Sequence, residues 1–166
     1  MSSIADVIRG LNSSGVSYVV VGGVAVVLHG RLRTTMDLDL VIALDAPNIN
    51  KALEVLAGLG LKPRLPIDPA GFADEQIRRH WIQDKGMMVL SFVDPILPTA
   101  AVDIFAAYPM DYRQLLNHSI VTNLGDIPAR VCSLEHLISM KRMANRPHDL
   151  ADIVDLEQIL RAKNEF

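Results

Sequence analysis

The segment that most restricts the fold is a short apolar run interrupted by two carboxylates, Asp37 and Asp39. Side chains alternate between the two faces of a strand, so both aspartates point to one face while Leu38, Leu40 and Ile42 point to the other. The apolar face has to be buried, and the acidic face has to stay open to solvent or to a ligand. The chain therefore needs a sheet that is covered behind this strand and accessible in front of it.

A second strand and a turn precede the acidic strand. Residues 18–21 form an apolar run rich in β-branched side chains, which predicts a buried strand. Gly22 and Gly23 end it, and residues 24–29 predict a short helix. Glycines let the backbone approach a ligand closely, and the free N–H groups at the start of a helix favour anions. A polyphosphate would fit beside the acidic pair.

Hydrophobic periodicity predicts the remaining organisation. We expect helices at residues 4–11, 24–29, 47–59, 73–81, 111–116, 133–144 and 147–162, and strands at residues 18–21, 37–43, 87–93, 101–106, 119–124 and 127–132. Residues 62–72 contain three prolines and are predicted to be a stiff irregular loop. Helices interleaved with five or six strands predict an α/β (α+β) fold with a mixed sheet and a C-terminal helical hairpin. We expect an α/β core at residues 1–132 and a helical pair at residues 133–166, packed as a single compact domain.

Composition excludes several classes of protein. The single cysteine, Cys132, excludes an internal disulfide and a four-cysteine zinc site. Sixteen basic and nineteen acidic side chains give a net charge of -3, which excludes a uniformly basic nucleic-acid binder. The apolar run at residues 18–28 is too short to span a membrane, and no signal peptide is visible. We therefore expect a cytoplasmic protein.

The acidic pair predicts a cation site. Two strand rises place the Cβ atoms of Asp37 and Asp39 about 6.6 Å apart. If the carboxylates converge to about 5 Å, their repulsion at an effective dielectric of about 20 is about 3 kcal/mol. Oxygen ligands suit Mg²⁺ or Mn²⁺ better than zinc, and magnesium commonly binds substrate phosphates as well. A lone Asp-x-Asp is nevertheless common, and it more often marks a solvated strand edge.

Three further ionisable residues occupy positions that periodicity marks as apolar. Asp103 lies in the predicted strand 101–106, where a carboxylate is costly unless it is paired or metal-bound; a structural aspartate bonded to an arginine is the alternative. Lys141 and Asp149 each fall on the core-facing stripe of a C-terminal helix. A packed lysine stem with an exposed ammonium, and an aspartate that compensates a helix dipole, are the simpler interpretations.

In combination these motifs resemble the nucleotidyltransferase superfamily, in its minimal branch related to the AbiEii toxins. That branch shows a Gly-Gly or Gly-Ser turn, an Arg-x-[Ser/Thr]-x-Asp-x-Asp segment, a third acidic strand residue and a late Lys/Arg/Asp helical motif. The matching positions are Gly22, Gly23, Arg33, Thr34 or Thr35, Asp37, Asp39, Asp103, Lys141, Arg146, Asp149 and Asp152. The sequence departs from the pattern at Gly23, where many relatives carry serine, and at His148, where relatives often carry lysine.

The resemblance implies a polymerase-β-like fold and a magnesium-dependent enzyme. Such an enzyme transfers a nucleoside monophosphate from a nucleoside triphosphate, such as ATP, to an acceptor hydroxyl and releases pyrophosphate. The implied catalytic and metal-binding residues are Asp37, Asp39 and Asp103, with Asp94 as a substitute for the third acid. The implied nucleotide-binding residues are Gly22, Gly23, Arg33, Thr35, Lys141 and Asp149. A toxin-like acceptor would be RNA or protein, with a cognate antitoxin as partner.

Two alternatives remain open. Antibiotic nucleotidyltransferases share the same pattern, so the acceptor could be a small aminoglycoside-like or lincosamide-like molecule. A pocket for cationic antibiotics favours additional acids, and residues 62–84 offer only Asp68, Asp74, Glu75 and Asp84, which does not decide between the acceptor classes. The third hypothesis is a non-catalytic binding module that keeps the fold. The basic-aromatic segment at residues 78–81 could hold a nucleic acid, although it is more typical of a solvated helix end.

Overall fold

The structure is a computed structural model, and it describes residues 2–166. The helices are α1 (Ile4–Ser13), α2 (Gly22–Leu28), α3 (Ala46–Gly58), α4 (Glu75–Lys85), α5 (Tyr112–Asn117), α6 (Leu134–Ala144) and α7 (Pro147–Asn164). The strands are β1 (Tyr18–Val21), β2 (Leu38–Ile42), β3 (Lys62–Pro63), β4 (Val89–Val93), β5 (Ala101–Phe105), β6 (Ile120–Leu124) and β7 (Ile127–Val131). A short 3-10 helix covers Pro69–Ala73.

The strands form one mixed sheet in the order β3-β4-β5-β2-β1-β7-β6. Strand β2 pairs antiparallel with β1 and parallel with β5, and β1 also pairs parallel with β7. The mixed α/β architecture with a C-terminal helical hairpin, predicted from the hydrophobic periodicity, is confirmed. Because β1, β2 and β5 are the three central strands, the acidic segment lies in the middle of the sheet.

Local sequence signals begin the helices. Ser3 and Asp6 form a capping box at the start of α1, and the Asp45 side chain caps α3, with Pro47 in the first turn. Ser133 caps α6 in the same way, through the backbone N–H of His136. These caps satisfy N–H groups that have no partner within the helix, so each helix begins where the sequence predicts it to within one or two residues.

The prediction of a structureless loop at residues 62–72 is wrong in part. Lys62 and Pro63 form the edge strand β3, which pairs antiparallel with β4, and Pro69–Ala73 is a 3-10 helix. Proline is tolerated there because an edge strand leaves one row of backbone groups without a partner. The sheet consequently has seven strands rather than five or six.

Helix α4 is shifted relative to the predicted helix at residues 73–81. Asp74 is its N-cap and accepts hydrogen bonds from the backbone N–H groups of Gln76 and Ile77. The helix continues to Lys85 and ends at Gly86, which has a φ of 62°. The aspartate and the glycine are ordinary start and stop signals, and hydrophobic periodicity alone missed both.

Among residues 2–166, no helix combines the length and the apolar character that crossing a membrane requires.

Candidate active site

The junction between β1 and α2 places two glycines at the front of the sheet. Gly22 and Gly23 are the first residues of α2, not a turn before it, and Gly22 has a φ of +66°. A Cβ atom on Gly22 would overlap the carboxylate of Asp39, and one on Gly23 would lie 2.6 Å from the Thr35 hydroxyl oxygen. Real Cβ atoms do not approach so closely, so glycine at both positions lets β2 and the segment before it pack against α2.

Three acids meet at the same end of the central strands. Asp39 on β2 is paired in register with Asp103 on the parallel strand β5. Asp37 lies one residue before β2, and its Oδ1 accepts a hydrogen bond of 2.8 Å from the backbone N–H of Ala101. Asp94, the alternative third acid, instead bonds the backbone N–H groups of its own turn at residues 96–97. Parallel pairing of β2 with β5 thus brings together acids that are 64 residues apart in sequence.

The surroundings of Asp39 and Asp103 disfavour the charged forms of these two side chains. Burial, together with the charges of Asp103 and Asp37, raises the pKa of Asp39 to about 6, although Arg146 and the backbone N–H of Gly23 act the opposite way. Burial and the charge of Asp37 also raise the pKa of Asp103, against the lowering effect of a hydrogen bond from Ser91. The Oδ1 atom of Asp103 is buried and has no hydrogen-bond partner among the described residues. A cation or a proton donor would stabilise this arrangement.

These residues line a cleft of about 610 Å³. Eight of the nine predicted site residues contribute to its surface: Gly22, Gly23, Arg33, Thr35, Asp37, Asp39, Asp103 and Lys141. Asp149, the ninth, lies beneath the surface, with a side chain that is 0% exposed. The exposed side chains of Arg146 and His148 also line the cleft.

A group of charged residues under the cleft joins the segment before β2 to helices α6 and α7. We call it the ion network, and its members are Arg31, Arg33, Lys141, Arg146, Asp149, Asp152 and Asp155. Asp152 is its centre, because it pairs with Arg31, with Arg33 and, at 2.8 Å, with Nζ of Lys141. Its side chain is 2% exposed. Buried charges of this kind are stable only when they are paired, so the network holds these segments together.

Lys141 and Asp149 are both internal members of the ion network. The Lys141 Nζ lies 3.3 Å from Oδ1 of Asp149, and Arg146 donates from Nε to Oδ2 of Asp149 at 2.8 Å. Burial would raise the pKa of Asp149, but the hydrogen bonds and charge of Arg146 and the charge of Lys141 outweigh it and hold that pKa at about 2. Asp149 is therefore ionised at any physiological pH.

The side chains of Asp37, Asp39 and Asp103 are carboxylates, which are the type of ligand that a hard divalent cation prefers. The Oδ1 atom of Asp103 has lone pairs that no described residue uses. No three His, Cys, Asp or Glu side chains between residues 2 and 166 already stand in a geometry that would hold a metal ion. The fit is therefore one of ligand type and charge, and side-chain movements would be required before the three carboxylates could bind one ion.

Part of this arrangement was not predicted from the sequence. Arg31 and Asp155 belong to none of the recognised motifs, and Arg146 and Asp152 were identified only as motif matches. The three-residue spacing of Asp149, Asp152 and Asp155 is a signal that these acids share one side of α7.

The segment at residues 78–81 does not form one basic-aromatic surface. Arg78 is buried and donates to the carbonyl of Phe72 at 2.6 Å, and Trp81 is also buried, whereas Arg79 and His80 are exposed. Arg78 therefore ties α4 to the preceding 3-10 helix.

Comparison with solved structures gives matches along nearly the whole chain. The lincosamide antibiotic adenylyltransferase LnuA, solved with lincomycin bound, is 19% identical with a TM-score of 0.61, covering 92% of this chain and 93% of that one. ANT(2")-Ia, in complex with adenylyl-2"-tobramycin, is 14% identical with a TM-score of 0.64, covering 97% and 89%. An antigenic nucleotidyltransferase-like protein from Paracoccidioides brasiliensis is 16% identical with a TM-score of 0.59, covering 92% and 72%. At these identities the likeness shows a shared fold.

The family comparison is more specific. No curated protein matches the sequence. The model of one family, described as a nucleotidyltransferase of unknown function (DUF6036), matches residues 3–163. Because that match spans nearly the whole chain and agrees with the fold, the protein belongs to this nucleotidyltransferase family.

Proposed function

We propose that the protein transfers a nucleoside monophosphate from a nucleoside triphosphate to an acceptor hydroxyl, with Mg²⁺ or Mn²⁺ as cofactor. One observation carries the proposal: Asp37, Asp39 and Asp103 line the same cleft as the glycine start of α2. Burial and the two neighbouring carboxylates raise the pKa of Asp39, and such a site beside a close backbone approach suits a bound cation together with phosphate.

In the proposed reaction the acceptor oxygen bonds to the α-phosphorus, the bond from that phosphorus to the β-phosphate oxygen breaks, and pyrophosphate leaves. Asp103 would take the hydroxyl proton, because it lines the cleft beside the other two acids and its raised pKa makes it a stronger base than a surface carboxylate. A divalent cation held by Asp37, Asp39 and Asp103 would neutralise the negative charge of the phosphates.

The remaining site residues would position the triphosphate. Gly22 and Gly23 allow phosphate oxygens to approach the backbone, and Arg33 and Thr35 line the same part of the cleft. Lys141 and Asp149 would act from below, Lys141 as a positive charge and Asp149 by orienting it at 3.3 Å. Positioning and charge neutralisation account for most of the catalysis in phosphoryl transfer.

The relationship to AbiEii-like toxins, with RNA or protein as acceptor and an antitoxin as partner, rests on the motif resemblance. The structural likeness to LnuA and ANT(2")-Ia, which were solved with an antibiotic and an adenylylated antibiotic, supports a small-molecule acceptor instead. Both acceptor classes need the same three acids.

Incubation of the pure protein with Mg²⁺, each α-labelled nucleoside triphosphate and separate pools of RNA, lysate protein and hydroxyl compounds tests the proposal. We expect label transfer and pyrophosphate release by the natural chain and neither by Asp37→Asn/Asp39→Asn. Asp126→Asn, in the exposed turn between β6 and β7, is the matched control and should transfer normally.

Thermal melting separates an enzyme from a non-catalytic module. A nucleotide that binds only the native state at a hundredfold excess over Kd stabilises it by about 2.7 kcal/mol. If no nucleoside triphosphate with Mg²⁺ shifts the Tm of the natural chain, the proposed function is wrong and the binding-module hypothesis is favoured.

A further inference from the structure

The cleft is lined by two groups of apolar side chains, one from the sheet and one from helix α6. Met88, Val89, Phe105 and Pro109 come from β4, β5 and the segments beside them, and we call them the sheet wall. Leu137, Met140, Met143 and Ala144 come from α6 and its end, and we call them the helix wall. The basic side chains that line the cleft come from α6, the start of α7 or the segment before β2, namely Arg33, Lys141, Arg146 and His148. The sheet wall itself carries no charged side chain.

The sheet wall adjoins Asp103. Phe105 lies two residues beyond Asp103 on the same strand and therefore on the same face, and Val89 is the cross-strand partner of Phe105. The carbonyl of Met88 accepts a hydrogen bond of 2.9 Å from the N–H of Ala106, the residue after β5. The sheet wall therefore continues from Asp103 along β5 to the start of β4.

Met88 is the most exposed member of this wall. This residue is 63% exposed and lines the same cleft as the three acids. Methionine is flexible and polarisable, and it makes favourable contacts with aromatic rings and irregular apolar surfaces. An exposed methionine beside phenylalanine, valine and proline forms a surface that an apolar group can cover.

The chemistry of this wall distinguishes acceptor classes. An RNA acceptor is held by several cations on its phosphates, and the sheet wall provides none. A polycationic acceptor needs carboxylates beyond the metal-binding set, and the sheet wall has none. An uncharged apolar group needs neither cations nor additional carboxylates around it.

Building on the proposed function, we infer that the acceptor is a small uncharged compound whose reactive hydroxyl is attached to an apolar or aromatic group, and that this group packs on the sheet wall. The hydroxyl would face Asp103, and the nucleotide would occupy the glycine and helix-wall side of the cleft.

The test uses 1-naphthyl β-D-glucopyranoside, whose fluorescence reports its binding directly, with D-glucose as the same set of hydroxyls without the aromatic group. We titrate both into the full chain with Mg²⁺ and ATP, measuring glucose by competition. We expect the naphthyl compound to bind at least about tenfold more tightly than glucose, since burial of an aromatic ring contributes more than the roughly 1.4 kcal/mol that tenfold requires.

Three variants locate the binding surface. Met88→Lys should weaken naphthyl glucoside binding about tenfold, because it places a charge where the ring would lie. Ile96→Lys replaces an apolar residue that is 91% exposed on a turn outside the cleft, and it should bind the compound as the natural chain does. Met143→Lys, on the helix wall and 61% exposed, should have a smaller effect than Met88→Lys.

The outcomes separate this inference from the proposed function. Three results would each overturn the inferred acceptor class, even if ATP shifts the Tm. They are equal affinity for glucose and the naphthyl glucoside, unchanged naphthyl glucoside binding by Met88→Lys, and label transfer that prefers kanamycin or total RNA. If no nucleotide shifts the Tm but the naphthyl compound binds and Met88→Lys weakens it, the apolar surface is confirmed and the transfer chemistry alone is overturned.

Discussion

Asp39 and Asp103 are in-register neighbours on the parallel strands β2 and β5. Both side chains point to the cleft, and the charge of Asp103 contributes to raising the pKa of Asp39 to about 6. Adjacent parallel strands lie about 4.8 Å apart, so the two carboxylates cannot avoid each other without a change in the sheet. The native fold therefore keeps an electrostatically unfavourable pair at its centre, which is typical of functional sites rather than of stabilising ones.

We predict that Asp39→Asn stabilises the protein at pH 8 in the absence of divalent cations. The folded-state pKa is raised from 3.8 to about 6, so the penalty for ionising Asp39 is absent below about pH 4, grows as the pH rises through 6 and is complete above it. A shift of about two units corresponds to about 3 kcal/mol. Urea unfolding should show a higher free energy of unfolding for Asp39→Asn than for the natural chain at pH 8 but not at pH 4. The variant should also lose nucleotide transfer. Equal stability of the variant and the natural chain at pH 8 would contradict this.

We predict that Asp152→Ala strongly destabilises the protein. It leaves the 6% exposed side chain of Lys141 with Asp149 as its only carboxylate and removes the shared partner of Arg31 and Arg33. Removing one partner of a buried ion pair costs about 3–5 kcal/mol, because the other charge is left buried without compensation. Asp155→Ala is the control, since that side chain is 41% exposed and pairs with Arg31 alone, and it should cost about 1 kcal/mol or less. Urea midpoints compare the two, and similar losses would show that Asp152 is not the centre of the network.

We predict an energetic coupling between Gly23 and Thr35. Gly23→Ala places a Cβ atom 2.6 Å from the Thr35 hydroxyl oxygen and should cost at least about 1 kcal/mol. Thr35→Ala removes that oxygen, so part of the loss should be recovered in the double variant. Gly58→Ala, which meets no atom within 4 Å, is the control and should stabilise α3 by about 0.5–1 kcal/mol. Strictly additive effects at positions 23 and 35 would indicate that the two do not contact.

We predict that Cys132 is unreactive in the folded protein. It is fully buried, and burial raises the pKa of its thiol to about 12, so almost no thiolate exists at pH 8. Ellman's reagent should label native protein slowly, and the labelling rate should rise along the urea unfolding transition. Rapid stoichiometric labelling without urea would mean that the β7–α6 junction opens readily.

We predict that His29 makes the protein less stable in mild acid. Its Nε2 donates to the carbonyl of Cys132 at 2.8 Å, and its Nδ1 is buried without a partner, so a second proton has no acceptor. Burial lowers the pKa of His29, and stability is therefore present above about pH 6.5 and lost as the pH falls below it. His29→Gln should reduce this pH dependence in thermal melts. The exposed His118→Gln control should keep it.

Local signals account for much of what could be predicted. Alternation predicted β2 and placed Asp37 and Asp39 on its open face. Apolar composition predicted β5, with Asp103 as a costly carboxylate within it, and capping residues such as Ser133 marked helix starts. The two-residue strand β3 could not be predicted, because Lys62–Pro63 is extended only through its pairing with β4. The roles of the site residues in binding and catalysis remain predictions.

The sequence by itself determined the α/β class and the acidic strand. It also determined which charged side chains occupy positions that periodicity marks as buried. Only the tertiary structure decided which charges meet. Arg33 pairs with Asp152 at a separation of 119 residues, and Asp37 bonds the backbone of Ala101 across 64 residues. Local patterning sets the face on which a side chain lies, because it depends on helix and strand geometry. Its partner depends on strand order and helix packing, which bring distant segments together only in the folded chain.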